Sequence, residues 1–274
     1  MKPPRKVVYY DDPVHDDFAG TNIETKVVDE SFPYRHGRFF TAVSHVLYYA
    51  IALPLVWLMH RVVLGVRFVN RKNRRLVKGP CYVYGNHTSF FDSYTPSLLS
   101  FPRRADMLAG PDAFSIPGLR SVVQMLGAIA IPNRVSGMKP FFRAQEAAFR
   151  AGRDVTIFPE AHIWPYYTGV RPFPATSFSY PIRLNAPVFA FFTAYSEPEG
   201  IDKVLRRKAT VRIYVSEPIY PDPNLPRKEA QQDLRDRVYA FMEEMSRTHS
   251  TNSVIEYVRR DPSANGTETP ETAG

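Results

Sequence analysis

Hydrophobic and polar positions change period repeatedly along this chain. Five short apolar runs, Cys81–Tyr84, Ala105–Ala109, Ala128–Ile131, Val155–Phe158 and Val188–Phe192, have the length and residue types of strands. The last is apolar at every position, the pattern of a strand covered on both faces. Val211–Val215 alternates, which places it nearer a sheet edge, and Val66–Asn70 is a further candidate before the turn Arg71-Lys72-Asn73. Helical spacing fills the gaps. Phe90–Leu99 is broken only by Pro96, and 112–126 is interrupted at Pro117-Gly118. Gly137 to Gly152 carries Phe141, Phe142, Ala144, Ala148 and Phe149 on one face and closes on a glycine, as helices do. Arg227–Val258 reads as a charged helix with Leu234, Val238, Phe241 and Met245 on one side. Strands alternating with helices predict an α/β fold: a mixed, largely parallel sheet flanked by helices.

Both ends of the chain break this rhythm. Residues 1–37 are polar and charge-mixed, and predict an extended N-terminal arm; the Thr-, Glu-, Pro- and Gly-containing tail, 259–274, predicts disorder. Between the arm and the first strands lies the most apolar stretch, 46–59, with Pro54 inside it and His45, His60 and Arg61 at its ends. It is shorter than the roughly 20 residues that span a bilayer. Tyr48, Tyr49 and Trp57 suit a headgroup interface. Residues 38 to 66 therefore read as an N-terminal membrane-associated helical motif, one or two helices embedded in one leaflet, with a buried core helix as the alternative. The expected organisation is an arm (1–37), membrane-associated helices with a basic segment (38–78), an α/β domain with a C-terminal helix (79–258) and a tail.

Charge supports a membrane surface. The net charge is +8 and the isoelectric point about 9.5. Arg61, Arg67, Arg71, Lys72, Arg74, Arg75 and Lys78 run without an acid among them, directly after the apolar stretch. A basic cluster beside an apolar segment fits an anionic membrane; the plainer reading is a solvated surface. No nucleic-acid recognition module accompanies it. The opening residues Met1-Lys2-Pro3-Pro4 lead into an acidic segment rather than a secretory signal, so the expected location is the cytoplasmic face of a membrane. The single Cys81 excludes an internal disulfide and, within an apolar run, reads as a buried small side chain.

The candidate chemistry follows the predicted strands. His87 and Asp92 follow 81–84, Asn133-Arg134 follows 128–131, and Glu160 and His162 follow 155–158. In open α/β sheets ligands bind beyond the carboxyl ends of strands. A His backed by a carboxylate has one ring nitrogen fixed and the other free to take a proton. The same Asp92 equally suits the first turn of a helix, where the macrodipole favours an acid. Arg134 can hold a phosphate or lie on a surface loop. Glu160 can position a hydroxyl or support the base, and His162 can donate to an anion; local turn bonding after Pro159 is the alternative for both. There is no G-x-S-x-G elbow, P-loop or dinucleotide fingerprint, and no His pair has zinc spacing, so no metal is expected.

Asn86-His87-Thr88-Ser89-Phe90-Phe91-Asp92 resembles the N-H-x-x-x-x-D block of the glycerolipid acyltransferase family. Gly127 to Arg134 resembles its second block, which ends in a substrate-binding Arg; Phe158-Pro159-Glu160 resembles the third and Asn185-Ala186-Pro187-Val188 the fourth. The third block is usually F-P-E-G-T-R, and here Ala161-His162-Ile163 replaces its last three residues. At Gly110-Pro111 a basic residue of the family is also missing, so the phosphate-binding set is thin.

The resemblance implies an α/β domain behind a two-helix membrane motif. It implies a fatty acyl transfer from acyl-CoA or acyl carrier protein to a lysoglycerolipid hydroxyl, with 1-acylglycerol-3-phosphate as the acceptor and phosphatidic acid as the product. His87 would be the base and Asp92 its partner, without a cofactor. Asn86, Ser89, Arg134, Glu160, His162 and Pro187 would line the substrate. Backbone N–H groups near the start of the 90–99 helix are expected to face the oxyanion. Membrane lipids and the lysophospholipid are the implied partners. The alternatives are acylation of another lipid alcohol or amine, and a non-catalytic membrane lipid-binding protein of the same fold.

Overall fold

The computed structural model describes residues 6–20, 24–251 and 254–260. Among the described residues there are nine strands: β1 (Lys6–Tyr10), β2 (Arg67–Val69), β3 (Tyr82–Gly85), β4 (Ala105–Ala109), β5 (Ala128–Ala130), β6 (Asp154–Ile157), β7 (Val188–Ser196), β8 (Thr210–Val215) and β9 (Ile255–Arg259). Seven form one sheet in the order β2-β8-β7-β3-β6-β4-β5, and β1 pairs with β9 in a separate two-stranded sheet. β7, β3, β6, β4 and β5 are mutually parallel, whereas β8 runs against β7 and carries β2 with it. The expected mixed, largely parallel sheet is therefore present, and every apolar run supplies one of its strands.

Burial follows the pleat. Tyr82 and Tyr84 of β3, with Val188, Ala190 and Phe192 of β7, pack under Phe141, Phe178, Leu234 and Val238. Cys81, Val83, Phe189 and Phe191 point to the other face, against Leu99 and Val215. β7 is buried at every position except Ser196, which is why its sequence shows no alternation. Each fully buried aromatic or aliphatic side chain contributes about 1.5–3 kcal/mol. Gly85 closes β3 where Phe191 crosses it; a Cβ there would lie 2.1 Å from the Phe191 ring.

The C-terminal helix is shorter than its charge pattern predicts. It runs Arg227–His249, buries Ala230, Leu234, Val238 and Met242, and gives way to β9 rather than continuing to Val258. Residues 255–259 pair in parallel with β1, from Lys6↔Ile255 to Tyr10↔Arg259. Residues 7–10 are a short apolar run inside the otherwise polar arm, and 255–258 fall within the stretch expected to be helical, so neither strand is anticipated. Of the tail expected to be disordered, 259 and 260 are placed here, and 261–274 lie outside the described residues.

One long helix, Arg38–Val63, replaces the pair of membrane helices implied by the family resemblance. Pro54 does not break it: π-helical turns at Leu47–Ala52 and Met59–Val63 flank the α-helical turn that holds the proline. By length and hydropathy this helix meets the requirement for crossing a membrane, so the short apolar run does not exclude a span on length alone. Its docking is the stronger constraint. Ser44 Oγ donates to the Met125 carbonyl (2.7 Å), Tyr49 Oη to that of Pro102 (3.1 Å), and His60 Nε2 meets Thr95 Oγ1 (3.1 Å). Thus both ends are tied to the domain and the helix lies along it. Its outer face stays bare: Phe39, Val46, Leu55, Trp57, Val62 and Val63 are all exposed.

Residues 1–37 are not simply a polar arm. Val28 and Phe32 are buried with Phe114 and Ala130, and Asn133 clamps the backbone of Lys26 and Val28. Earlier in the arm, Tyr10 and Phe18 pack on Trp164.

The basic segment also serves the core. Arg74 grips Asp154 at the start of β6 with two bonds, Nε to Oδ2 (2.9 Å) and Nη2 to Oδ1 (2.6 Å), and both side chains are almost fully buried. Asp154 also accepts from the Cys81 N–H (3.1 Å), so the pair locks the entry to β3 and β6. Arg74→Ala strands a buried carboxylate and is expected to cost about 3–5 kcal/mol in urea unfolding. Combining Arg74→Met with Asp154→Asn should recover most of that loss. A single variant as stable as the parent would show that the pair is not structural.

Candidate functional site

β3 lies at the middle of the sheet, and its carboxyl end delivers Asn86, His87 and Thr88 into a buried turn. Ser89 then caps the 3-10 turn Phe90–Tyr94, its Oγ accepting from the Phe91 N–H (3.2 Å). Asp92 folds back, and its Oδ2 accepts from the N–H groups of Thr88 and Ser89, both at 2.7 Å. The capping reading of Asp92 is thus correct, but it is not the whole account. The same Oδ2 lies 3.8 Å from His87 Nδ1, beyond hydrogen-bond distance. His87 Nδ1 is buried and has no hydrogen-bond partner. The carboxylate therefore stands beside the ring without yet being bonded to it, a gap of the kind that closes when substrate binds.

The imidazole is held on its other sides. It stacks on Phe158, with ring centroids 4.3 Å apart and planes 21° from parallel. The His87 N–H donates to Glu160 Oε2 (3.2 Å), and the His87 carbonyl accepts from the Trp164 N–H (3.2 Å). Only 9% of the His87 surface remains open. Thr88 Oγ1 meets the buried Tyr195 hydroxyl (2.9 Å), and the Thr88 carbonyl accepts from the Tyr166 N–H.

Glu160 follows β6, the neighbour of β3, and is almost fully buried. Its second oxygen accepts from the Arg171 N–H (3.0 Å), and the Arg171 Nε lies 3.6 Å from Oε2. Burial pushes the Glu160 carboxyl above its ordinary range, against the pull of Arg171. With both oxygens engaged by backbone donors, Glu160 is not free to position a substrate hydroxyl. It fixes the backbone of His87.

Arg171 has no signal in the sequence beyond its charge. It is 1% exposed, stacks over Trp164 (5.1 Å), and donates to the carbonyls of Glu160 and His162. The guanidinium absent from the third motif block at Ile163 thus comes to Glu160 from farther along the chain. Ala161, in place of the motif glycine, keeps the left-handed conformation (φ 66°) that glycine adopts freely.

Other expected site residues fall elsewhere. Asn86 is fully buried and spent on β7: its Oδ1 accepts from the Thr193 N–H (2.7 Å) and its Nδ2 donates to the Thr193 carbonyl (3.1 Å). It aligns strands and does not bind substrate. Ser89 uses its hydroxyl as a cap. The Pro187 carbonyl accepts from the Tyr82 N–H (3.0 Å), so Pro187 sits at the amino end of the sheet, opposite His87. It starts β7 and is remote from the site. His162 Nδ1 faces Asp17 of the arm (3.2 Å), which makes it a contact between the arm and the 160–171 segment. Arg134 is exposed beyond β5, at the same end of the sheet as His87 but three strands away, about 14 Å across. Of the N–H groups expected to face an oxyanion, those of Thr88, Ser89, Phe91 and Asp92 are already bonded within the turn; that of Phe90 is not among them.

A strand-end His with a carboxylate at its buried nitrogen, in the N-H-x-x-x-x-D order, is joined by two independent likenesses. Residues 65–192 match the family model described as Acyltransferase. Residues 65–192 thus form an acyltransferase-like domain. The fold resembles the 1-acyl-sn-glycerophosphate (LPA) acyltransferase PlsC from Thermotoga maritima, with a TM-score of 0.52 at 16% identity, over 78% of this chain and 89% of that one. No curated protein matches the sequence. His87, Asp92 and Glu160 all lie within the matched residues.

The role of Glu160 is open to measurement. Glu160→Gln places an amide where two backbone N–H groups need acceptors. It is expected to cost about 1–3 kcal/mol in thermal or urea unfolding and to lower turnover by loosening His87. Full stability with reduced turnover would instead make Glu160 a group that meets substrate.

Proposed function

We propose that this acyltransferase moves a fatty acyl group from a thioester, acyl-CoA or acyl carrier protein, to the free hydroxyl of a lysoglycerolipid, with 1-acylglycerol-3-phosphate as acceptor. The observation that carries the reading is the unpaired, buried Nδ1 of His87 beside Asp92. Asp92 favours a proton on Nδ1 and leaves Nε2 as the basic nitrogen. Nε2 takes the hydroxyl proton as the oxygen attacks the thioester carbonyl; the C–S bond then breaks and the thiolate recovers the proton from the imidazolium. Asp92 stabilises that transient cation. Glu160, Phe158 and the Trp164 N–H hold the ring in place throughout. Arg134 is the cation proposed for the acceptor phosphate, which the lysolipid must bridge from the β3 end toward the β5 end.

The long helix supplies the substrate phase in this reading. Held to the domain at both ends, with its outer apolar face open, it lies within one leaflet rather than crossing the bilayer. Phe90, 64% exposed on the turn that carries Asp92, adds an apolar surface beside the site.

His87→Ala should lower kcat by about 10²–10⁴ without loss of stability, in an assay with lysophosphatidate and a long-chain thioester. Asp92→Asn should cost less. Arg134→Ala should raise KM for lysophosphatidate about tenfold to a hundredfold and leave that of the thioester unchanged. Folded His87→Ala protein with normal turnover would refute the mechanism.

The two tryptophans offer a direct test of membrane placement. Trp164 is fully buried, whereas Trp57 is 56% exposed on the outer face of the helix. Vesicles should shift the emission of Trp57 to the blue, and the shift should vanish in Trp57→Phe. Lipids brominated near the headgroup should quench it more than lipids brominated at the chain terminus; the reverse order would indicate a spanning helix.

A further inference from the structure

Five arginines gather at the opposite end of the sheet from His87. A basin of about 1050 Å³ opens there between the arm (Phe32 to His36), the first turns of the long helix, and the face of Met138–Arg150. Arg35, Arg103, Arg104, Arg143 and Arg153 line it, and no Asp or Glu does. Arg104 precedes β4 and Arg153 precedes β6, both parallel to β3, so the basin faces the amino ends of these strands. A phosphate bound here is not the one at the reacting hydroxyl.

The arginines are arranged rather than scattered. Arg104 and Arg153 share one buried carboxylate, Asp106, at 3.0 and 2.7 Å. Arg104 is further held by Ser44 Oγ (3.0 Å), by the Met125 carbonyl (2.8 Å) and over the Tyr48 ring (4.7 Å). Arg103 donates only to carbonyls, those of Gly152 and Lys78. Arg35 and Arg143 are exposed and have no acidic partner among the described residues. Five guanidiniums therefore meet a single carboxylate, which sits behind them. Guanidinium forks with this excess charge suit phosphate oxygens.

The neighbouring surface identifies the source of the phosphate. Phe40, Ser44 and Tyr49 of the long helix form one wall, and on the outer side of the same turns Phe39 is 83% and Val46 62% exposed. Charge and apolar surface thus adjoin in the order in which a leaflet presents phosphate and hydrocarbon. We propose that this basin binds the headgroup phosphate of an anionic glycerophospholipid, as a site separate from that of the reaction. Occupied, it fixes the first half of the long helix at the membrane surface, while the His60 end lies near the catalytic turn.

The test uses the full chain and vesicles of phosphatidylcholine with or without phosphatidylglycerol. The double variant Arg35→Glu/Arg143→Glu should weaken binding to the anionic vesicles by at least about tenfold and leave neutral vesicles unaffected. An equal charge change outside the basin, Arg227→Glu/Lys228→Glu in the exposed first turn of the C-terminal helix, should have little effect. Equal losses in the two double variants would mean diffuse attraction and overturn the site. So would unchanged binding in Arg35→Glu/Arg143→Glu, or inorganic phosphate raising Tm as much as the anionic vesicles do. Turnover of detergent-dissolved substrate should be the same in both double variants; a loss confined to Arg35→Glu/Arg143→Glu with normal vesicle binding would assign the basin to the reaction instead.

Discussion

The carboxylate of Glu160 is the constraint on which the site depends. It is buried between two strand ends, and its oxygens accept from the backbone of His87 on one side and of Arg171 on the other. A buried carboxylate is costly unless its lone pairs are met and its charge is answered. Here N–H groups do the first and a guanidinium that is itself buried does the second. The arrangement joins the ends of β3 and β6 to the 160–171 segment, and through Trp164 to the arm. His87 is thereby held in place through its own main chain, which leaves its ring nitrogens free for chemistry.

Asp92 shows how a small motif performs two tasks. One of its oxygens closes the turn that follows β3, and that closure is what brings the carboxylate close to Nδ1. The five-residue spacing is thus a consequence of the turn, and the cap that Asp92 makes is also what sets its carboxylate beside His87.

The sequence reveals those parts of the fold that are set by local pattern. Apolar runs such as 155–158 and 188–192 mark the central strands because burial on both faces requires it. The strand-end positions of His87, Glu160 and Arg134 follow from those strands. What pattern does not show is the use made of a polar group. Asn86 stands one residue from His87 in the motif, yet it aligns β3 with β7; Pro187 carries motif identity but belongs to the other end of the sheet. Arg171 finds Glu160 through a loop with no periodicity, and the pairing of β1 with β9 joins residues that no local window contains. The helix at 38–63 was legible as an apolar helical element, but the hydrogen bonds that lay it along the domain depend on side chains from distant segments.

That pairing of β1 with β9 has a consequence for the order in which the protein is completed. Residues 6–10 leave the ribosome early, but their partner strand is made about 250 residues later. At about 5–20 residues per second, the first strand waits on the order of tens of seconds with its edge open. The strands of the large sheet and the turn that carries His87 are complete by residue 215, and the helix Arg227–His249, whose Leu234 and Val238 cover one face of that sheet, completes its core before β9 is made. The β1–β9 pairing and its packing on Trp164 can form only afterwards. The β1–β9 pair is thus the last piece to lock, on a sheet that is already built.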